Sequence, residues 1–151
     1  MRSPAGRTGV AGDAQMKALS LTQPWASLVA AGQKKIETRS WGTRYRGPLY
    51  IHAAKRFPAY AKAFALEVYE NPSVLPFIPL GAIVARCYLL DVRPAETMLS
   101  KITALERKYG DFSPGRFAWI LTNIEQLEPL PYKGQLGLFE IALPSGQRNE
   151  R

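Results

Sequence analysis

A chain of 151 residues that is 46% hydrophobic and 21% charged has the size and composition of one domain with its own core, which excludes disorder except at the ends. No apolar run approaches the roughly 20 residues that span a bilayer, and the N-terminus lacks the apolar centre of a secretory signal. The chain therefore reads as cytoplasmic, with no membrane partner. The formal charge of +8 is concentrated: residues 17–62 hold nine Lys or Arg against one acid, Glu37, so the rest of the chain sums to zero.

Taken in order, residues 1–15 are small, polar and aperiodic and are expected to form a disordered leader. The domain is expected over 16–143, with a flexible tail over 144–151. Ala18 to Leu21 reads as a short strand. Pro24 opens a helix that places Trp25, Leu28 and Val29 on one face, and Gly32 stops it. Lys35 to Trp41 reads as a strand. Opposite Ile36, the period of two puts Lys35, Glu37, Arg39 and Trp41 on one face, with Thr38 on the other. A charged, turn-rich connection over 42–48 leads to a strand over Leu49 to His52, and a helix follows from Ala59 to Glu70.

A loop marked by Pro76 and Pro79 precedes a long strand, Gly81 to Val92. Pro94 to Tyr109 reads as the clearest helix, with Ala95, Met98, Leu99, Ile102 and Leu105 as its apolar stripe and its charges on a solvated face. Two strands, Phe117 to Gln126 and Gly134 to Leu143, close the chain across Pro129-Leu130-Pro131. About six strands and three helices in this order predict an α+β fold, a small mixed β-barrel, closed or nearly closed. A doubly wound parallel sheet fits less well, because two strand pairs follow each other with no helix between. Ile36, Leu49, Ile51, Ile83, Leu89, Ile120, Leu138 and Ile141 are the expected core.

The chemistry-bearing residues cluster in the basic block. Cys87 is the one cysteine and lies in an apolar run, so it reads as a buried hydrophobe and excludes an internal disulfide or a cysteine zinc site. The lone histidine, His52, has no nearby acid pair, and no metal or other cofactor is expected. Phosphate-loop and dinucleotide glycine patterns are absent. Basic groups interleaved with flat rings suit a ligand that carries phosphates and bases. Lys34, Arg39, Arg44, Lys55 and Arg56 supply the charge, Trp41 and Tyr45 are the candidate stacking rings, and Trp25 and Trp119 read as packing. Glu37 and Arg39, two apart on one strand face, can form an ion pair. Lys34, in the turn after Gly32, can reach a phosphate or Glu37.

The run Gly32-Gln33-Lys34-Lys35-Ile36-Glu37-Thr38-Arg39 has the form G-x-K-x-x-E-x-R. It follows an SLTQPWASL lead and precedes RYRGPLYIHAAK, and the segments 117–121 and 133–139 close the pattern. In these segments, over about residues 16–143, the chain resembles the ASCH domains of the PUA-like group of small β-barrels. The resemblance implies a cleft beside the first helix, bordered by the motif, that binds RNA or related nucleotides. Certain small relatives resemble amidohydrolases of acetylated cytidine that use a Lys and a Thr three residues on. Here Lys34 matches the lysine, but Glu37 stands at the threonine position, so the covalent route lacks its hydroxyl. Other members have been proposed to cleave single-stranded RNA.

Two readings follow. In the first, the domain binds single-stranded RNA or a nucleotide, with cations on phosphates and rings on bases. In the alternative, it is an enzyme, a ribonuclease or an acetylated-cytidine amidohydrolase, in which Glu37, assisted by Lys34 or His52, does acid-base work. Lys34 and Arg39 should lower the Glu37 pKa, which favours binding or a role as base over a role as acid. A protein-protein adaptor is a third, weaker reading.

Overall fold

A computed structural model describes residues 16–143; the leader expected over 1–15 and the tail expected over 144–151 lie outside the described residues. Six strands, β1 (Met16–Leu21), β2 (Ile36–Arg39), β3 (Gly47–Ala53), β4 (Ala82–Pro94), β5 (Phe117–Pro131) and β6 (Leu138–Ile141), form one sheet in the order β2-β5-β4-β3-β1-β6. The β1 and β3 pair is parallel, and the other pairs are antiparallel. The fold is thus α+β with six strands of mixed pairing, as expected. Among the described residues, hydrogen bonding leaves the sheet open, with β2 and β6 as its edges.

Alternation builds the core. Leu19 and Leu21 on β1, Leu49 and Ile51 on β3, Cys87 and Leu89 on β4, and Trp119 and Leu121 on β5 form one buried cluster, which Ala26 and Val29 of α1 (Trp25–Ala30) join. Side chains one residue out of phase, Ala18, Tyr50 and Ile83, join Phe139 and Ile141 in a second cluster. Of the expected core, Ile36, Leu49, Ile51, Ile83, Leu89 and Ile141 are buried; Leu138 packs half-buried against the first cluster, and Ile120 against a third, of Ile36, Ala95, Met98, Phe112 and Ala118. Cys87 is buried, and burial pushes its thiol up to about 12.

Several expected boundaries are corrected. The helix expected over Pro94 to Tyr109 does not form as one piece. Strand β4 runs on to Pro94, paired with Phe117, and a 3₁₀ turn (Ala95–Met98) and a short helix α3 (Ala104–Tyr109) divide the rest. Thr103 makes the division: its side chain accepts from the Glu106 amide and starts a new helix where a continuous one would have passed through. Ala95, Met98, Leu99 and Ile102 still pack together, but Leu105 is 51% exposed. Strand β5 extends to Pro131, because Ala82 and Ile83 pair with Pro131 and Leu130 where a connection was expected. Its long hairpin with β4 bends at three register shifts. Helix α2 (Ala59–Tyr69) ends one residue early, on Glu70 at φ 57.

Candidate functional site

The motif segment is held in place by side chains from elsewhere in the chain. Helix α1 begins under Gln23, which is fully buried: its carboxamide oxygen accepts from the Ser27 amide at 2.9 Å, and its nitrogen donates to Ser27 Oγ and to the Pro79 carbonyl, each at 2.8 Å. After α1, Gly32 turns the chain at φ +77, a conformation that costs glycine no Cβ strain. Ahead of β2, the carboxylate of Glu106 accepts from the amides of Lys35, at 3.0 and 3.2 Å, and Ile36, at 3.2 Å. Glu106 is 9% exposed, so α3 does not present all its charges to solvent as expected.

The motif residues Lys34, Glu37 and Arg39 are brought together. The Lys34 ammonium donates to Glu37 Oε1 at 3.0 Å and to the Ile36 carbonyl, and Arg39 Nε donates to Glu37 Oε2 at 2.9 Å. Burial pushes the Glu37 carboxyl up, but the charges of Lys34 and Arg39 and their hydrogen bonds outweigh it and hold the group below its ordinary value of 4.5. Glu37 is therefore an ionised clamp between two cations. Of the two partners its turn position allowed, a phosphate or Glu37, Lys34 reaches Glu37, and at 1% exposure it spends its ammonium there and on the backbone. Arg39 Nη2 donates to the Ser20 carbonyl at 2.6 Å, tying β2 across to β1.

Beside this cluster run two adjoining hollows of about 740 and 1070 Å³. Ser20, Thr22, Arg39 and Tyr60 line both, so they are two arms of one cleft with Arg39 at the junction. The first arm has an aromatic wall of Trp25, Tyr60, Phe64 and Tyr109, and beside it lie Glu37, Asp111, Lys108 and Arg116. Trp25 stacks on Phe64 with centroids 5.1 Å apart and planes 8° apart. The second arm is lined by Arg39, Lys55, Arg56 and Lys133, with the loop 132–137 as one wall.

His52 lies beneath the second arm, 1% exposed. A carbonyl only accepts, so His52 Nε2 donates to the Tyr132 carbonyl at 2.7 Å, while Nδ1 meets Ser20 Oγ at 2.9 Å. Both ring nitrogens are spent on tying β1, β3 and the loop together. A Cβ on Gly134 would lie 2.6 Å from the ring, so the loop closes over His52 only with glycine there.

Of the other residues singled out in the sequence, Lys55 and Arg56 reach the cleft, whereas Trp41, Arg44 and Tyr45 line neither arm. Trp41 packs edge-on against Trp119 at 4.9 Å and accepts through its carbonyl from Trp119 Nε1, and the Tyr45 hydroxyl donates to the Pro48 carbonyl. Arg44 is exposed on the connection before β3. Sequence reasoning missed Tyr60, Ser20, Glu106 and Lys133. Tyr60 is 67% exposed at the junction of the arms; its only signal was an aromatic residue in the first turn of a helix that follows the basic run. Trp25, read as packing, is half-buried and faces the cleft while resting on the core.

With the fold and the cleft in view, comparison with known proteins defines the class. An ASCH domain family model matches residues 19–131, and the chain belongs to the ASCH domain family. Activating signal cointegrator 1 from Homo sapiens and from Mus musculus is 51% identical to it over 49 residues, 32% of this chain but 8% of either relative. The crystal structure of ASCH from Zymomonas mobilis superposes with a TM-score of 0.54 at 14% identity, covering 83% of this chain and 86% of that one, a likeness of fold. Among the described residues, no helix is long and apolar enough to cross a membrane.

Proposed function

We propose that the cleft binds single-stranded RNA or a nucleotide without turning it over. The observation that carries this reading is the make-up of the second arm: Arg39, Lys55, Arg56 and Lys133 line it, and among the described residues no carboxylate does. Four cations converging on one groove attract a polyanion, and a groove of this size admits a strand and not a surface. The enzyme alternative is less well supported. A general base works best with a pKa near the working pH, yet Lys34 and Arg39 hold the Glu37 carboxyl below its ordinary value and both His52 nitrogens hold partners. The hydroxyl of Thr38 accepts from the Asp111 amide at 3.1 Å, on the face away from Glu37, and does not replace the nucleophile missing at position 37. We place this activity in the cytoplasm.

The test is fluorescence anisotropy with a labelled single-stranded RNA at low salt, with products followed by chromatography. Lys55 and Lys133 are exposed, so the double variant Lys55→Ala/Lys133→Ala should fold normally and bind at least tenfold more weakly, since each phosphate contact carries a share of the affinity. No product should form from RNA or from acetylated cytidine. Unchanged affinity in the variant, or clean turnover by the wild type, would contradict the reading.

A further inference from the structure

The two arms of the cleft differ in chemistry, and resting on the reading above, that difference assigns the parts of the ligand. Among the described residues, the charged groups that line the second arm are all cations, whereas the first carries two carboxylates, Glu37 and Asp111, among its cations. A phosphate placed in the first arm would face those carboxylates, and a phosphate in the second would not. The first arm also has the larger ring wall: the second adds Tyr132 to Tyr60, which lines both arms at their junction, whereas in the first Trp25 already stacks on Phe64, and Tyr60 lies 6.3 Å from Trp25 at 38° and is 67% exposed. Such a ring, exposed inside a cleft of about 740 Å³, is a platform for a flat, neutral group.

We infer that the first arm takes one unpaired nucleobase, stacked on Tyr60, while the second takes the phosphates of the adjoining backbone and Arg39 bridges the two at the sugar-phosphate link. The ligand class that satisfies both arms is a single strand that presents a base turned inward. A polyanion without bases, or a duplex with its bases paired, fills only the second arm. Tyr60 sits on the exposed face of α2, so its ring is removable without disturbing the core.

The experiment compares a short labelled RNA with an abasic oligomer of the same length and charge, on the wild type, Tyr60→Ala and Tyr60→Phe, by anisotropy at fixed salt. The wild type is expected to prefer the RNA by at least fivefold, the lower end of what one stacked base contributes. Tyr60→Ala should erase that preference while leaving abasic binding and its salt dependence unchanged, and Tyr60→Phe should restore it. RNA labelled with 2-aminopurine should be quenched on binding to the wild type and not to Tyr60→Ala. If Tyr60→Ala weakens both oligomers equally, or neither, the base-in-first-arm assignment is overturned while phosphate binding stands. If neither oligomer binds the wild type, the nucleic-acid reading itself fails, and this inference with it.

Discussion

Glu37 is the residue on which the motif turns, and the structure gives it a positional role. One oxygen takes Lys34, the other Arg39, and through Arg39 the charge pattern reaches the Ser20 carbonyl and the cleft. Because Lys34 is buried, it cannot be trimmed as a surface lysine can. Lys34→Met keeps the stem but leaves Glu37 short of one partner, and we expect a loss of roughly 3 kcal/mol in urea unfolding at neutral pH, as for a broken buried pair. The folded Glu37 carboxyl lies below 4.5, so its pairing stabilises fully above the unfolded value and is lost as pH falls through the folded one. The gap between wild type and Lys34→Met should therefore narrow in acid. A gap that stays constant from neutral pH to below the carboxylate range would mean that packing, and not charge, accounts for Lys34.

The elements show what the sequence discloses and what it hides. Strand pattern was legible because alternating burial writes a period of two, and the G-x-K-x-x-E-x-R run is local, so Lys34, Glu37 and Arg39 meet within one turn and one strand. The stretch 94–109 reads as one helix because Ala95, Met98, Leu99 and Ile102 bury together from a 3₁₀ turn and the bend that follows it, ahead of α3, a geometry whose spacing mimics one helix. Glu106 was hidden for another reason: its partners lie about seventy residues away, and no local pattern reports that. Trp41 and Tyr45 looked available among charged turn residues, but neither lines the cleft. The carboxylate of Glu106 is what fixes the start of β2. Replacing it in Glu106→Ala should cost about 2–3 kcal/mol, since two amides lose a charged acceptor. Hydrogen exchange checks this directly: the Lys35 and Ile36 amides should lose protection far more than the β4 and β5 amides.

At the scale of the whole molecule, the charge block of residues 17–62 folds into a cleft only in part. Arg39, Lys55, Arg56 and the Tyr60 ring come from the block, while Lys133 arrives from the loop after β5. Net charge alone thus located the basic region but not the groove, because the groove is made where β1, β2, α2 and the loop 132–137 converge. In the proposed function several of these cations neutralise phosphates together, and the salt dependence of wild-type RNA binding reports their number. Each neutralised phosphate on a single strand contributes a slope of about −0.7 in log affinity against log salt, so three or four contacts predict a slope between about −2 and −3. Titrations of one labelled single-stranded RNA across a series of salt concentrations should give that slope. An affinity independent of salt, or no binding at the lowest salt, would contradict the account.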